Sequence, residues 1–271
     1  MSPRRRAPRA WLGGPRLVDP SELLGPRGLT QDVLDGKGLD DLEDGPEVAA
    51  TFNLDGDDAF YASLLTEQRR ARIESVVASR LGSLTVVLDR VIDPHNVAAI
   101  VRSAEGLGLC EVHLVHHSEE EAVAHRRVTR DADKWIDLTV HESGPLAVQR
   151  LQAEGFTVWA GHLGGEAKLL EELPVDRPIA LLVGNEHEGP SPETLAACDG
   201  SFRIPMSGFT QSFNVSVAGA VALYTVARER RAALGREGDL NEAARARLRS
   251  RYLKLGAKLA RRISGPPART T

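Results

Sequence analysis

Three short segments of this 271-residue chain hold more polar and conformationally special residues than ordinary structure requires. The first is Asp93-Pro94-His95-Asn96, followed six residues later by Arg102. Pro94 stiffens the entry to a helix, and the spacing predicts Asn96 as its N-cap. Arg102 falls nearly two turns in, beside Val101 and Ala104, where an arginine is costly without a partner. Either it pairs with an acid such as Glu105, or it serves a ligand. The second segment, Gly184-Asn-Glu-His-Glu-Gly189-Pro190, directly follows the most apolar run of the chain, Ile179 to Val183. Ligands gather at the carboxyl ends of strands in open parallel sheets. Gly184 would let a ligand approach the backbone, and Glu186 would accept a hydrogen bond from a loop or a ligand. A plain helix-capping turn would use the same residues. The third segment runs from Ile204-Pro-Met206 to Ser212-Phe-Asn-Val-Ser216 and leads into the small-residue stretch Val217–Ala222. An N-cap accounts for Ser212 or Asn214, but not for Thr210, Gln211 and Ser216 as well.

Other chemistries lack their residues. No GxxxxGK[ST] cradles a phosphate, and Gly106-Leu-Gly108 closes a helix instead of opening one after a strand. There is neither a GxSxG elbow nor an HExxH pair. His113, His116 and His117 cluster in sequence, but His113 and His116 alternate across a strand, so they read as surface or loop histidines with no third ligand. No metal site is expected. The two cysteines, Cys110 and Cys198, form no CxxC and fit a reducing cytoplasm.

The elements that position these segments alternate. Thr66 caps a helix over EQRRARIESVVASRL that Gly82 stops. Strands follow at Leu84–Leu88, Glu111–Val115, Trp135–Val140, Phe156–Ala160, Ile179–Val183 and Ser201–Ile204. Helices lie between them at Asn96–Leu107, Leu146–Ala153 and Pro192–Ala197, with a longer one at Val215–Arg231. This pattern predicts an α/β fold, a largely parallel sheet flanked by helices. Ile179–Val183 is its expected centre, buried on both faces.

Charge is unevenly spread. The net charge is -4, yet Thr225–Thr271 carries 13 basic and 4 acidic residues while 51–224 is strongly acidic. Along 240–262, Leu248, Tyr252, Leu255 and Leu259 make an apolar stripe at 4-3-4 spacing. The basic remainder is either a solvated, salt-bridged face or a surface for phosphates. Residues 1–60, rich in Gly, Pro, Asp and Arg without a sustained period, read as a mostly disordered extension. The N-terminus is basic without an apolar core, so no secretory signal is expected, and no apolar run reaches a membrane span.

Taken together, the three segments resemble the three motifs of the SpoU branch of the SPOUT RNA methyltransferases. Asn96, Arg102 and Gly108 match the first motif, Val183-Gly-Asn-Glu186 with Gly189 the second, and Ile204-Pro-Met206 with Ser212–Ser216 the third. Order and spacing agree over roughly residues 66–231. Within the branch the likeness is greatest to the members that methylate guanosine 18 of tRNA, through Glu67–Ile73 and Lys134-Trp135. The resemblance implies a C-terminal trefoil knot with N- and C-terminal helical extensions, a homodimer, and S-adenosyl-L-methionine as cofactor. It implies Gly161, Gly184, Ile204, Met206 and Phe213 as cofactor-binding residues. Arg102, Asn96, Glu186, Ser212 and Asn214 would be catalytic, with Arg102 reaching the partner's site. Phe213 stands where the family usually has leucine. The chain would divide into an extension over 1–60, an RNA-binding helix over 61–82, a catalytic domain over 83–232 and a basic helical tail over 233–271. Arg69, Arg70, Arg72, Arg80, the loop Arg126–Arg130 and the tail would bind the RNA backbone. The implied reaction is methyl transfer to a ribose 2'-hydroxyl of cytoplasmic tRNA. Ribosomal RNA, another tRNA position, or RNA binding without catalysis are the alternatives.

Overall fold

The structure, a computed structural model, describes residues 58–116, 134–164 and 166–264. Residues 1–57, His117, the Arg126–Arg130 loop and the side chains of Leu259, Arg261 and Arg262 lie outside the described part. Residues 58–60, expected in the extension, instead open a short helix, α1 (Asp58–Ser63).

Helix α2 (Glu67–Ala78) starts at Thr66, whose hydroxyl accepts the Arg69 N–H at 3.2 Å. Strand β1 (Leu84–Asp89) follows, buried at every position. Helix α3 (Pro94–Gly106) is capped by Asp93, whose carboxylate accepts the His95 N–H at 2.8 Å. The expected Asn96 cap is therefore corrected by three residues. Pro94 has no N–H to satisfy and holds Asp93 extended, so the cap falls just before the proline. That frees the Asn96 side chain, now in the first turn, for tertiary bonds.

Strand β2 (Glu111–Val115) and strand β3 (Asp137–His141) come next. Strand β3 begins two residues later than expected because the Trp135 carbonyl accepts from Arg80 and Tyr252 instead of a neighbouring strand. Helix α4 (Gly144–Ala153), strand β4 (Thr157–Gly161), the two-residue strand β5 (Lys168–Leu169) and strand β6 (Ile179–Gly184) continue the alternation. Helix α5 (Pro192–Ala197), strand β7 (Gly200–Arg203), helix α6 (Val215–Leu234) and helix α7 (Glu242–Ser264) complete it.

All seven strands run parallel, in the order β3-β2-β1-β6-β4-β7-β5. The central β6 is buried along its whole length, as the apolar run predicts. Its side chains alternate between two cores. Leu181 and Val183 join Ile100, Val101 and Leu223 on the face covered by α3 and α6. Ala180 and Leu182 join Val148 and Leu151 beneath α4. Each such large side chain contributes roughly 1.5–3 kcal/mol by leaving water.

Helices α2 and α7, remote in sequence, pack together through Ile73, Val77, Tyr252 and Leu253. Arg80 is fully buried beside them, contrary to its expected RNA-facing role. Its guanidinium donates to the Glu105 carboxylate at 2.9 Å and to the Leu109 and Trp135 carbonyls at 2.7 and 3.0 Å. Glu105 is thereby taken, so it is not the partner of Arg102. Among the described residues no helix is long and apolar enough to cross a membrane.

Candidate active site

The carboxyl ends of β4, β6 and β7 open into a cavity of about 380 Å³. That is the position parallel sheets favour and a size suited to a small-molecule ligand, within roughly 300–1,000 Å³. Its walls hold Gly161 at the end of β4, Gly184 and Glu186 after β6, and Ile204, Met206, Ser212, Phe213 and Asn214 after β7. Eight of the ten residues singled out in the sequence thus meet in one place. The other two, Asn96 and Arg102, are not in its walls.

Asn96 reaches the site through hydrogen bonds. Its Nδ2 donates to Glu186 Oε1 at 3.0 Å, and its Oδ1 accepts from Asn214 Nδ2 at 3.2 Å. The direction of this chain is fixed by its far end. Asn214 caps α6, with Oδ1 accepting the Ser216 and Val217 N–H groups, so only its Nδ2 is left to donate. Asn96 must then turn its oxygen to Asn214 and its amide nitrogen to Glu186. One residue from each of the three segments is joined in a single polar line.

Glu186 also accepts the Ile92 and Asp93 N–H groups at 3.1 and 3.3 Å. Burial pushes its carboxyl up, but these bonds together with Asn96 outweigh burial and hold the group below its ordinary value. Glu186 is thus an ionised anchor for the loop between β1 and α3. Asn185 ties the same loop from the other side, donating to the Arg90 carbonyl at 3.2 Å and accepting the His187 N–H at 2.8 Å. Arg90 holds a left-handed backbone, φ 60°, at this junction.

Gly184 lines the cavity and also has a structural role. A Cβ there would strike the backbone of Gly189 and the ring of Pro190, so its missing side chain lets the loop close on itself. Arg102 projects from α3 exposed, with no hydrogen bond or ion pair among the described residues.

Other chemistries find little support. His113 is not a surface histidine: it is buried, with Nδ1 2.9 Å from Nε2 of His141. Burial, then the charges of His141 and Arg150, lower it to about 3, so it is neutral at pH 7. Among the described residues no cluster of three or more His, Cys, Asp or Glu side chains could hold a metal ion. Burial pushes the Cys110 thiol up to about 11 and the Cys198 thiol up to about 12, which rules out a ready thiolate nucleophile.

The cavity fits S-adenosylmethionine in size and in the character of its walls. Besides apolar Val183, Phe202 and Ala218, the walls include Met206 and Phe213, whose backbone groups make no hydrogen bond within the described chain. Backbone donors and acceptors left open on a cavity wall can bind a ligand that brings its own polar groups.

Residues 83–224 match the model of the SpoU rRNA Methylase family. The chain belongs to the SpoU methylase family. It is 41% identical to the tRNA (guanosine(18)-2'-O)-methyltransferase of Thermus thermophilus over 61% of its own length and 84% of that protein. Its fold is similar to the A. aeolicus TrmH/SpoU tRNA modifying enzyme, with a TM-score of 0.62 and 29% identity over 70% of this chain and 96% of the other. It is also similar to an AdoMet-bound rRNA methyltransferase from Sinorhizobium meliloti, with a TM-score of 0.50 and 26% identity over 58% and 60% of the two chains.

For a SpoU methylase the sequence motifs leave some of the site unnamed. His162, Leu163, Arg203 and Ala218 also line the cavity. The first three follow or end β4 and β7, so the strand assignments already contained the signal for them. Ala218 is visible only once α6 is placed over β6.

Proposed function

We propose that this chain transfers the methyl group of S-adenosylmethionine to the 2'-hydroxyl of guanosine 18 in tRNA. The observation that carries the reading is the cavity whose walls come from all three strand ends, with its three motifs joined through Asn214, Asn96 and Glu186. Family membership supplies the reaction class, and the Thermus relative's name supplies the nucleotide.

S-adenosylmethionine brings an activated sulfonium methyl, so the protein has mainly to position and to handle charge. The main chain at Gly161, Gly184, Ile204, Met206 and Phe213 holds the donor. Ser212, exposed on the cavity wall, lies beside the acceptor. Asn96, Asn214 and Glu186 fix the three loops relative to one another. Arg102 holds the RNA phosphate next to the reacting ribose and stabilises the developing alkoxide. Guanidinium groups stay protonated in proteins, which favours this role over proton abstraction.

Arg102 is not in the wall of its own chain's cavity, so it serves the cavity of a second copy in a homodimer. Val217, Val221 and Tyr224 support that assembly: they are 46, 38 and 58% exposed at i, i+4 and i+7 of α6. The Ile204–Ser216 segment threads a chain loop, forming the trefoil knot of this superfamily. Residues 83–232 are the catalytic part. Arg69, Arg70 and Arg72 of α2 and Arg245, Arg247, Lys254 and Lys258 of α7 face the tRNA backbone. Arg249 and Arg251 are taken by Glu74 and Asp137. A tRNA substrate places the enzyme in the cytoplasm.

The test is incubation of unmodified tRNA with methyl-labelled donor, followed by alkaline hydrolysis. Label in one alkali-resistant dinucleotide containing guanosine 18 is the expected result. Label elsewhere in the tRNA, or label taken up only when ribosomal RNA replaces the tRNA in a parallel incubation, reassigns the substrate.

A further inference from the structure

Aromatic residues make up only 4% of this chain, and one of them is held entirely in solvent. Phe209 is 110% exposed, within a stretch from Ser207 to Ser212 that is exposed throughout. Its ring has no stacking or cation–π partner among the described residues. Two residues further on, Gln211, Ser212 and Phe213 enter the cavity wall. Phe209 is therefore tethered two residues from the cavity wall while staying outside that wall itself.

We infer that Phe209 stacks on the base of the nucleotide whose ribose is methylated, an inference that rests on the RNA-methylating reading of the cavity. An unpaired RNA base presents a flat face to aromatic side chains, and such stacking positions a nucleotide without demanding hydrogen bonds. A ring held two residues from the cavity wall clamps the base while the ribose turns inward. The other occupant would be a second copy of the chain. Between Phe209 and Val217, where the apolar stripe on α6 begins, Thr210, Gln211, Ser212 and Asn214 are polar and exposed, and Phe213 belongs to the cavity wall. An interface core is continuous and apolar, so Phe209 lies outside such a core.

The experiment compares wild type with Phe209→Ala, Phe209→Leu and Phe209→Trp on a tRNA transcript, and on the same transcript lacking only the base at position 18. Wild-type turnover of the intact transcript tests the methyltransferase reading on its own. Given that turnover, Phe209→Ala and Phe209→Leu raise KM for tRNA about tenfold, the worth of one base–aromatic stack. KM for the methyl donor stays unchanged, and Phe209→Trp restores tRNA affinity. On the transcript without the base, wild type and Phe209→Ala become equal. Wild-type behaviour of Phe209→Leu, a penalty that persists on the baseless transcript, or a change of oligomeric size in Phe209→Ala would each overturn the inference.

Discussion

Arg102 and Glu186 occupy opposite electrostatic situations. Glu186 accepts from Ile92 and Asp93 in the β1–α3 loop and from Asn96 of α3, whereas Arg102 has no partner among the described residues. The sequence left open whether Arg102 pairs with Glu105. Arg80, a residue with no motif around it, takes that carboxylate. Nothing local in the sequence could reveal this, because the two lie 25 residues apart. Arg102→Lys keeps the charge but loses the planar fork. Turnover should fall about 100-fold or more, with calorimetric donor binding unchanged because Arg102 does not line its own cavity. Near-normal turnover removes Arg102 from the chemistry. Glu186 allows a pH prediction. Its folded value lies below the ordinary 4.5, so the stability it contributes is complete above that pH and is lost as pH falls through the folded value. Thermal midpoints of wild type and Glu186→Gln should therefore differ at pH 7 and converge as the pH falls below 4.5. A difference that stays constant with pH excludes the ionised anchor.

At the scale of elements, legibility followed the locality of the cause. The Thr66 cap, the buried Ile179–Val183 strand and the Val215 helix all rest on neighbouring residues and are predicted by spacing, with Asn214 chosen over Ser212 as the helix cap. The α3 cap moved to Asp93 because proline chemistry outranks the intrinsic preference of Asn96, a competition that was readable in principle. Strand β5 has only two residues, too few for any alternation to register. The His113–His141 pair joins β2 and β3 across a register that no sequence pattern specifies. Gly184 shows the same division. Its place after β6 was evident, but the reason for glycine is the return of Gly189 and Pro190 onto it. Gly184→Ala should cost roughly 1–3 kcal/mol, the penalty of overpacking, and lower the thermal midpoint by several degrees. It should also weaken donor binding, since the displaced loop carries Glu186. Wild-type melting and donor affinity in that variant contradict the loop-closing role.

On the scale of the whole molecule, the sheet order and the meeting of three distant segments at one rim could be read only through family resemblance; composition and periodicity stop at a parallel α/β fold. The helix pair α2–α7 was likewise hidden, because its contacts join the two ends of the described chain. The exposed stripe on α6 leads to an assembly prediction. Val221→Asp should yield monomers by sedimentation, with donor binding retained and methyl transfer lost, since each cavity would lack the partner's Arg102. A monomeric variant with full activity refutes the shared site. The most direct test of the central claim uses two tRNA transcripts that differ in one atom group, the 2'-hydroxyl of guanosine 18. With labelled S-adenosylmethionine, the ribose transcript should take up one methyl per molecule and the 2'-deoxy transcript none. Equal labelling of both, or no labelling of either, contradicts the account.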